Sequence, residues 1–255
     1  MSTPLLEVRD LAMRFGGLLA VDGVSLSVQP QQVVSIIGPN GAGKTTVFNC
    51  LTGFYRPSGG SIHFSGQAIH GLRDHQIARK GVVRTFQNVR LFRDMTAVEN
   101  LLVAQHKHLN TGLLSGLFKT PAFRRSEKEA LDFAAQWLER VGLTEIANRP
   151  AGTLAYGQQR RLEIARCMMT RPSLLMLDEP AAGLNPRETE ELEALLAGLR
   201  QEHQITVLLI EHDMRLVMSI SDHIYVIKQG RPLADGTPQQ VREHPEVIKA
   251  YLGEA

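Results

Sequence analysis

Cysteine is almost missing: 255 residues contain two, Cys50 and Cys167. They lie far apart, in segments with a helical residue pattern. The close spacing of a metal site or redox pair is therefore lacking, and buried reduced thiols are expected. An excess of one charge is missing too. Lys and Arg number 28 against 26 Asp and Glu, a net charge of +2, which makes no general electrostatic case for nucleic acid as a partner. Long hydrophobic runs are also absent. The longest, such as Val207-Leu208-Leu209-Ile210, are strand-sized and far below the roughly 20 residues that span a bilayer. Met1 to Asp10 carry no basic stretch followed by an apolar core, so no secretory leader is expected. There is no internal repeat and no low-complexity tract. These absences leave a soluble cytoplasmic protein as the expectation, one that reaches any membrane through a partner.

What is present is 43% hydrophobic residues, enough for one catalytic domain with subdomains. Leu5 to Val8, Val24 to Val28 and Val33 to Ile37 read as strands, the last with apolar neighbours on both faces as in a central strand. A glycine-rich turn precedes a helix from Lys44 to about Thr52. The turn Pro57-Ser58-Gly59-Gly60 leads to a strand at Ser61 to Phe64. From Thr96 to Arg171 the pattern is mainly helical, with Leu131, Ala134, Leu138 and Val141 on one apolar face and a loop at Asn110 to Gly116. Strand–helix alternation then returns at Leu174 to Leu177 and Val207 to Ile210. Asn185-Pro186-Arg187-Glu188 opens a helix as N-cap, first-turn proline and capping box, and Leu192, Leu195, Leu196 and Leu199 form its buried stripe. His223 to Pro238 reads as a hairpin followed by a turn. The fold expected is an α/β nucleotide-binding core with a helical insertion and an antiparallel β portion.

Gly38-Pro39-Asn40-Gly41-Ala42-Gly43-Lys44-Thr45 matches the phosphate-binding pattern G-x-x-x-x-G-K-[ST] in full, between a predicted strand and a predicted helix. Successive backbone N–H groups in such a turn point inward and cradle phosphates, and the helix N-terminus adds its positive end. Lys44 places a full charge at the β- and γ-phosphates, the Thr45 hydroxyl is offered to Mg²⁺, and Thr46 contacts a phosphate. Leu174 to Glu179 is an apolar strand ending in two acids. Asp178 suits the Mg²⁺ shell, and Glu179 suits the polarising of an attacking water.

Between these motifs lies Leu154-Ala155-Tyr156-Gly157-Gln158, followed by Gln159 to Arg166, which resembles the ABC signature and its helix. The order of P-loop, Thr85-Phe86-Gln87, signature, acidic strand end, Gly183-Leu184-Asn185 and His212 resembles an ABC cassette over essentially the whole chain. The fold so implied is a P-loop NTPase core of the RecA/F1 kind with an antiparallel β subdomain and an ABC-type helical subdomain. The core would take about 1–90 and 172–255, and the helical part about 91–171. By resemblance Gln87 is the Q-loop glutamine and joins Thr45 and Asp178 around Mg²⁺. Gly183, Leu184 and Asn185 form the D-loop, His212 is the switch histidine, and Phe15 stacks on adenine, with a place in the core as its rival role. Ala155 and Tyr156 depart from the commoner Leu-Ser-Gly-Gly-Gln signature. That departure, with Gly81 to Gln87, Phe48 to Gly53 and Tyr251-Leu252-Gly253, resembles the LivG-type ATP-binding subunits of bacterial high-affinity branched-chain amino acid importers.

The resemblance implies ATP and Mg²⁺ as cofactors and a head-to-tail pair of cassettes, each ATP held by one P-loop and the other signature. The second cassette would be a different chain or a copy of this one. Integral membrane permease subunits would be direct partners and a periplasmic solute-binding protein an indirect one. The place of work would be the cytoplasmic side of the inner membrane. Two alternatives stay open: a cassette for another solute such as urea or lipopolysaccharide, and a soluble non-transport ABC ATPase. Proteins of the latter kind resemble tandem cassettes or carry coiled coils or zinc insertions. This chain has one P-loop, one signature, no cysteine cluster and no sustained heptads.

Overall fold

The computed structural model describes residues 3–87, 89–105 and 121–252, apart from the side chains of residues 121–123 and 252. His106 and His108 lie outside the described residues, as do the loop at 110–116 and Gly253. In chain order the elements begin with β1 (Leu6–Phe15), β2 (Leu18–Val28), β3 (Val33–Ile37), α1 (Lys44–Leu51), β4 (Gly59–Phe64), β5 (Gln67–Ala68), α2 (Asp74–Arg79) and β6 (Val82–Arg84). Next come α3 (Ala97–Ala104), α4 (Pro121–Arg140), two 3₁₀ turns (Thr144–Ile146 and Ala151–Thr153) and α5 (Tyr156–Met168). The chain continues with β7 (Leu174–Asp178), α6 (Pro186–His203), β8 (Thr206–Ile210), α7 (Met214–Ile220), β9 (His223–Lys228), β10 (Arg231–Gly236), α8 (Pro238–Glu243) and α9 (Pro245–Leu252).

Contacts divide these elements into two compact units. One comprises Met1–Arg84, Ser173–Ala182 and Thr189–Ala255, the other Thr85–Pro172 and Gly183–Glu188. The first holds both sheets, in strand orders β2-β1-β4-β5 and β10-β9-β3-β8-β7-β6. The four-stranded sheet is antiparallel throughout. In the six-stranded sheet β3, β6, β7, β8 and β9 run parallel, and only the edge strand β10 is antiparallel. All five residues of β3, β7 and β8 are buried, as continuous apolar runs in a doubly covered parallel sheet should be. Phe48 and Leu51 of α1 join one core cluster with Val34, Ile36, Leu208 and the apolar face of β1 and β2. Val217 of α7, Val241 of α8 and Val247 of α9 join another with Ile37 and Ile224.

Several expectations need correction. β1 and β2 run well beyond Leu5 to Val8 and Val24 to Val28. Register shifts between Val8 and Leu11 and between Leu11 and Met13 break the period-two alternation that marks a strand in sequence. The hairpin after His223 is present, but no open turn follows it. Pro238 starts α8, capped by the Thr237 hydroxyl, which accepts from the Gln240 N–H. Leu131 is 46% exposed, and the buried face of α4 is instead Ala130, Ala134, Trp137, Leu138 and Val141. On the helical repeat Leu131 falls about 20° beyond Leu138, at the outer edge of that stripe, where the solvent-facing side of α4 begins. Leu192, Leu196 and Leu199 of α6 are buried, while Leu195 is half-buried. Cys50 and Cys167 are buried free thiols. Burial pushes their pKa values up to about 11 and, with the Glu163 carboxylate adding to the effect at Cys167, about 12.

The capping box at Asn185 is formed as the residues suggest. Its side chain accepts from the Glu188 N–H at 3.0 Å, and its own N–H donates to the Glu188 carboxylate at 3.0 Å. Asn185→Ala should therefore lower stability by about 1 kcal/mol, read as a shift in the midpoint of denaturant unfolding. An unchanged midpoint would show that the cap adds nothing to α6.

Candidate active site

The first unit brings three strand tips to one edge. β8 lies between β3 and β7, with Ile36 opposite Ile210 and Asp178 opposite Ile210 on the other side. The residues that follow are Gly38, Glu179 and Glu211-His212. The carboxyl ends of parallel strands are where ligands bind in such sheets.

Past β3 the P-loop turns tightly against its surroundings. A Cβ on Gly38 would sit 2.0 Å from the Ile227 carbonyl oxygen, and one on Gly43 (φ 98°) would sit 2.7 Å from that of Ala20. Only glycine allows that approach. The loop is also pinned by the Gly230 N–H, which donates to the Ala42 carbonyl at 3.0 Å. Lys44 is 7% exposed and its ammonium donates to the Gly38 and Pro39 carbonyls at 2.6 and 3.1 Å. Burial lowers its pKa, and the carboxylates of Glu179 and Asp178 pull it back up. Around the loop lies a cavity of about 410 Å³, lined by Leu18 to Ala20, Asn40 to Thr46, Glu179, Gln229 and Gly230. Its size suits a mononucleotide-scale ligand.

Glu179 occupies the left-handed region, at φ 48°, an unfavourable backbone for a residue other than glycine. Its N–H donates to the Ile210 carbonyl at 2.9 Å, so the end of the β7–β8 ladder sustains the conformation. Asp178 is almost fully buried and ion-paired to Arg84 at 2.6 Å. Arg84 also donates to the Asn49 side chain of α1 at 2.7 Å. The His212 side chain is 58% exposed. Phe15 is 41% exposed, so the core role open to it in sequence does not hold. Its ring meets Tyr55 edge-on, with centroids 5.2 Å apart.

Gln87, the signature and Gly183 to Asn185 belong to the second unit. Ala155 is the N-cap of α5 and supplies no side-chain cap, while its N–H donates to the Gln158 side chain at 3.1 Å. Gly157 is buried, and a Cβ there would meet the Glu188 carboxylate; one on Gly183 would lie 3.3 Å from the Tyr156 ring. Leu154 is buried and Leu184 half-buried. The Gln87 side chain is exposed, but its backbone is tied to α5. Arg160, 1% exposed, donates to the Phe86 and Gln87 carbonyls at 2.9 and 3.3 Å and pairs with Glu163 at 2.9 Å. Glu163 in turn accepts from the Arg90 N–H at 3.1 Å. The sequence reading misses Arg84, Arg160, Glu163 and Glu211 as parts of the site. For Glu211 the usable signal is a carboxylate directly after the apolar run Val207 to Ile210 of a central strand.

The family described as ABC transporter matches residues 21–182, and the family described as branched-chain amino acid ATP-binding cassette transporter matches residues 231–255. Over 255 residues, the whole of both chains, identity is 77% with the high-affinity branched-chain amino acid transport ATP-binding protein BraF of Pseudomonas aeruginosa. It is 69%, again over the whole of both chains, with LivG of Escherichia coli K12. A crystal structure of the ADP conformation of an ATP-binding cassette of an ABC transporter superimposes with a TM-score of 0.86 at 34% identity. The match covers 99% of this chain and 100% of that one. Among the described residues no helix is long and apolar enough to cross a membrane. The chain thus belongs to the ATP-binding cassettes of ABC transporters, as an ATP-binding and ATP-hydrolysing subunit in the branch that holds BraF and LivG.

Proposed function

We propose that this cassette energises a bacterial importer of branched-chain amino acids, working from the cytoplasmic side of the inner membrane against integral permease subunits. The observation that carries the reading is the 77% identity with BraF over the full length of both chains, supported by the family match at residues 231–255. A periplasmic solute-binding protein would deliver the amino acid, and nucleic acid has no part. The nucleotide-binding core with its β subdomain takes about 1–90 and 172–255, and the helical subdomain about 91–171.

In this reading Gly38, Asn40, Gly41, Ala42 and Gly43 present backbone N–H groups to the phosphates of ATP, Pro39, which has no N–H to give, shapes the turn, and Lys44, Thr45 and Thr46 join them. The signature, Leu154, Ala155, Tyr156, Gly157 and Gln158, serves the γ-phosphate of a second cassette through the backbone N–H groups around Gly157 and the N-terminus of α5. That second cassette is a different chain or a copy of this one. Gly183, Leu184 and Asn185 line the seam between the two. Glu179 polarises the attacking water and His212 positions it. The hydroxyl of Thr45, the carboxylate of Asp178 and the side-chain carbonyl of Gln87 are hard oxygen donors, a set that suits Mg²⁺ with its remaining positions left to water and phosphate. Mg²⁺, when bound, neutralises charge on the phosphates.

The test is co-purification from native membranes with identification of every bound chain, together with uptake of labelled leucine in cells lacking the chain. Leucine uptake that survives the deletion, or permease subunits of a urea or lipopolysaccharide system in the complex, would overturn the cargo. Phe15 supplies a further check. A ring face stacks on any base without reading its edges, so Phe15→Ala should weaken ATP and GTP binding alike, by about 5- to 30-fold. Unchanged affinity for both would remove Phe15 from the site.

A further inference from the structure

We propose that Glu211 is a positioning residue for hydrolysis, one carboxylate that ties the segment after Glu179 to His212; the inference rests on the roles given above to Glu179 and His212. Glu211 is 0% exposed. One of its oxygens accepts from the Ala181 N–H at 2.7 Å. The other accepts from the N–H groups of His212 at 2.8 Å and Asp213 at 3.1 Å, and lies 3.7 Å from Nδ1 of the His212 ring.

The arrangement takes over where the sheet stops. β7 and β8 are in register up to Asp178 opposite Ile210, and the bond from the Glu179 N–H to the Ile210 carbonyl is the last that the strands supply. Beyond it the paired register ends, and the chain continues through Ala181 after β7 and through Asp213 after β8. Nothing in a ladder would hold His212 at a set distance from the Glu179 turn, and the Glu211 side chain bridges that gap. Three backbone donors arrive from two directions, and an acceptor-only group with two oxygens satisfies all of them. A hydroxyl would reach only one side. An amide would turn its NH₂ toward one set of donors, and an aspartate would fall one methylene short of spanning both.

The experiment measures ATP turnover on the complex that co-purifies with the chain, comparing Glu211→Gln, His212→Ala and the double variant in single-turnover reactions. Loss of positioning at the reacting water should lower kcat about 10- to 30-fold for Glu211→Gln while KM for ATP stays within about 3-fold. Because the carboxylate acts in part through His212, the double variant should be little slower than His212→Ala alone. Glu211→Asp keeps the charge and one of the two contacts, so its kcat should fall less; it also serves as the readable variant if Glu211→Gln does not fold. Parental kcat in the variants overturns the proposal, as does a loss that multiplies fully with that of His212→Ala or that appears mainly in KM. If Glu179→Gln and His212→Ala themselves keep parental turnover, the underlying reading fails. If they are slow and Glu211→Gln is not, this inference alone fails.

Discussion

Glu179→Gln should hydrolyse ATP about 1,000-fold more slowly than the parent while binding ATP within about 3-fold of it. Gln is nearly isosteric and keeps the backbone N–H that donates to Ile210, so the turn at φ 48° should persist. What it loses is the anionic oxygen that, in the role proposed for it, polarises the attacking water. The side chain lines the same cavity as Lys44 and Thr45, within reach of the phosphate end of a nucleotide lying on the loop. Removing a negative charge there also relieves repulsion with the triphosphate, which pushes affinity slightly upward. Turnover and affinity therefore separate, and ATP should accumulate on the closed pair of cassettes. Rapid-quench hydrolysis and equilibrium ATP titration read the two quantities independently. Parental hydrolysis would remove Glu179 from the chemistry, whereas equal loss of affinity and rate would make it a binding residue.

The parts of the fold that sequence reveals are those whose causes are local. The run Gly38 to Thr45 is one contiguous turn, in which Gly38 and Gly43 follow from close backbone approach and Gly41 from its left-handed backbone at φ 78°. The strands at Val33 to Ile37, Leu174 to Asp178 and Val207 to Ile210 are legible because all their residues are buried. A buried strand needs no alternation to be seen, only an apolar run flanked by turn residues. The Asn185–Glu188 box is legible for the same reason, being complete within four residues. The long β1–β2 hairpin is not, because bulges around Val8 to Met13 scramble its period. Neither is the partner of Asp178. Arg84 lies 94 residues earlier in the chain, and nothing in the residues around either position announces the pair. Arg160 reads as one more basic residue on a polar helix until burial shows it holding the Phe86 and Gln87 carbonyls. A pattern in one chain records which faces are apolar, but only tertiary packing decides which charged groups are enclosed with them.

Lys44→Ala should act on binding, weakening ATP affinity by about 100-fold, the worth of roughly one or two hydrogen bonds to a charged group. The ammonium is held above the loop by the Gly38 and Pro39 carbonyls at 2.6 and 3.1 Å, so its position is set before any phosphate arrives and little side-chain entropy is lost on binding. Truncation removes this cation from beside Glu179 and Asp178, whose carboxylates stabilise its charge. Those two negative charges would then face the triphosphate uncompensated by it. Lys44→Arg should not rescue. The side chain is only 7% exposed, and a planar guanidinium needs more room than an ammonium and places its donors elsewhere. The pH dependence gives an internal control. Burial lowers the Lys44 pKa in the free protein, and the protonated form is the one that binds phosphate. Affinity in the parent should therefore fall as pH rises through that lowered value, earlier than for a solvent-exposed lysine. The alanine variant has no such proton to lose and should lack this limb of the profile. Titrations with a non-hydrolysable ATP analogue, so that both carboxylates beside Lys44 stay in place, provide both readouts. Parental affinity in Lys44→Ala, or an alkaline limb that survives the substitution, would show that the phosphates draw their binding energy from the loop amides alone.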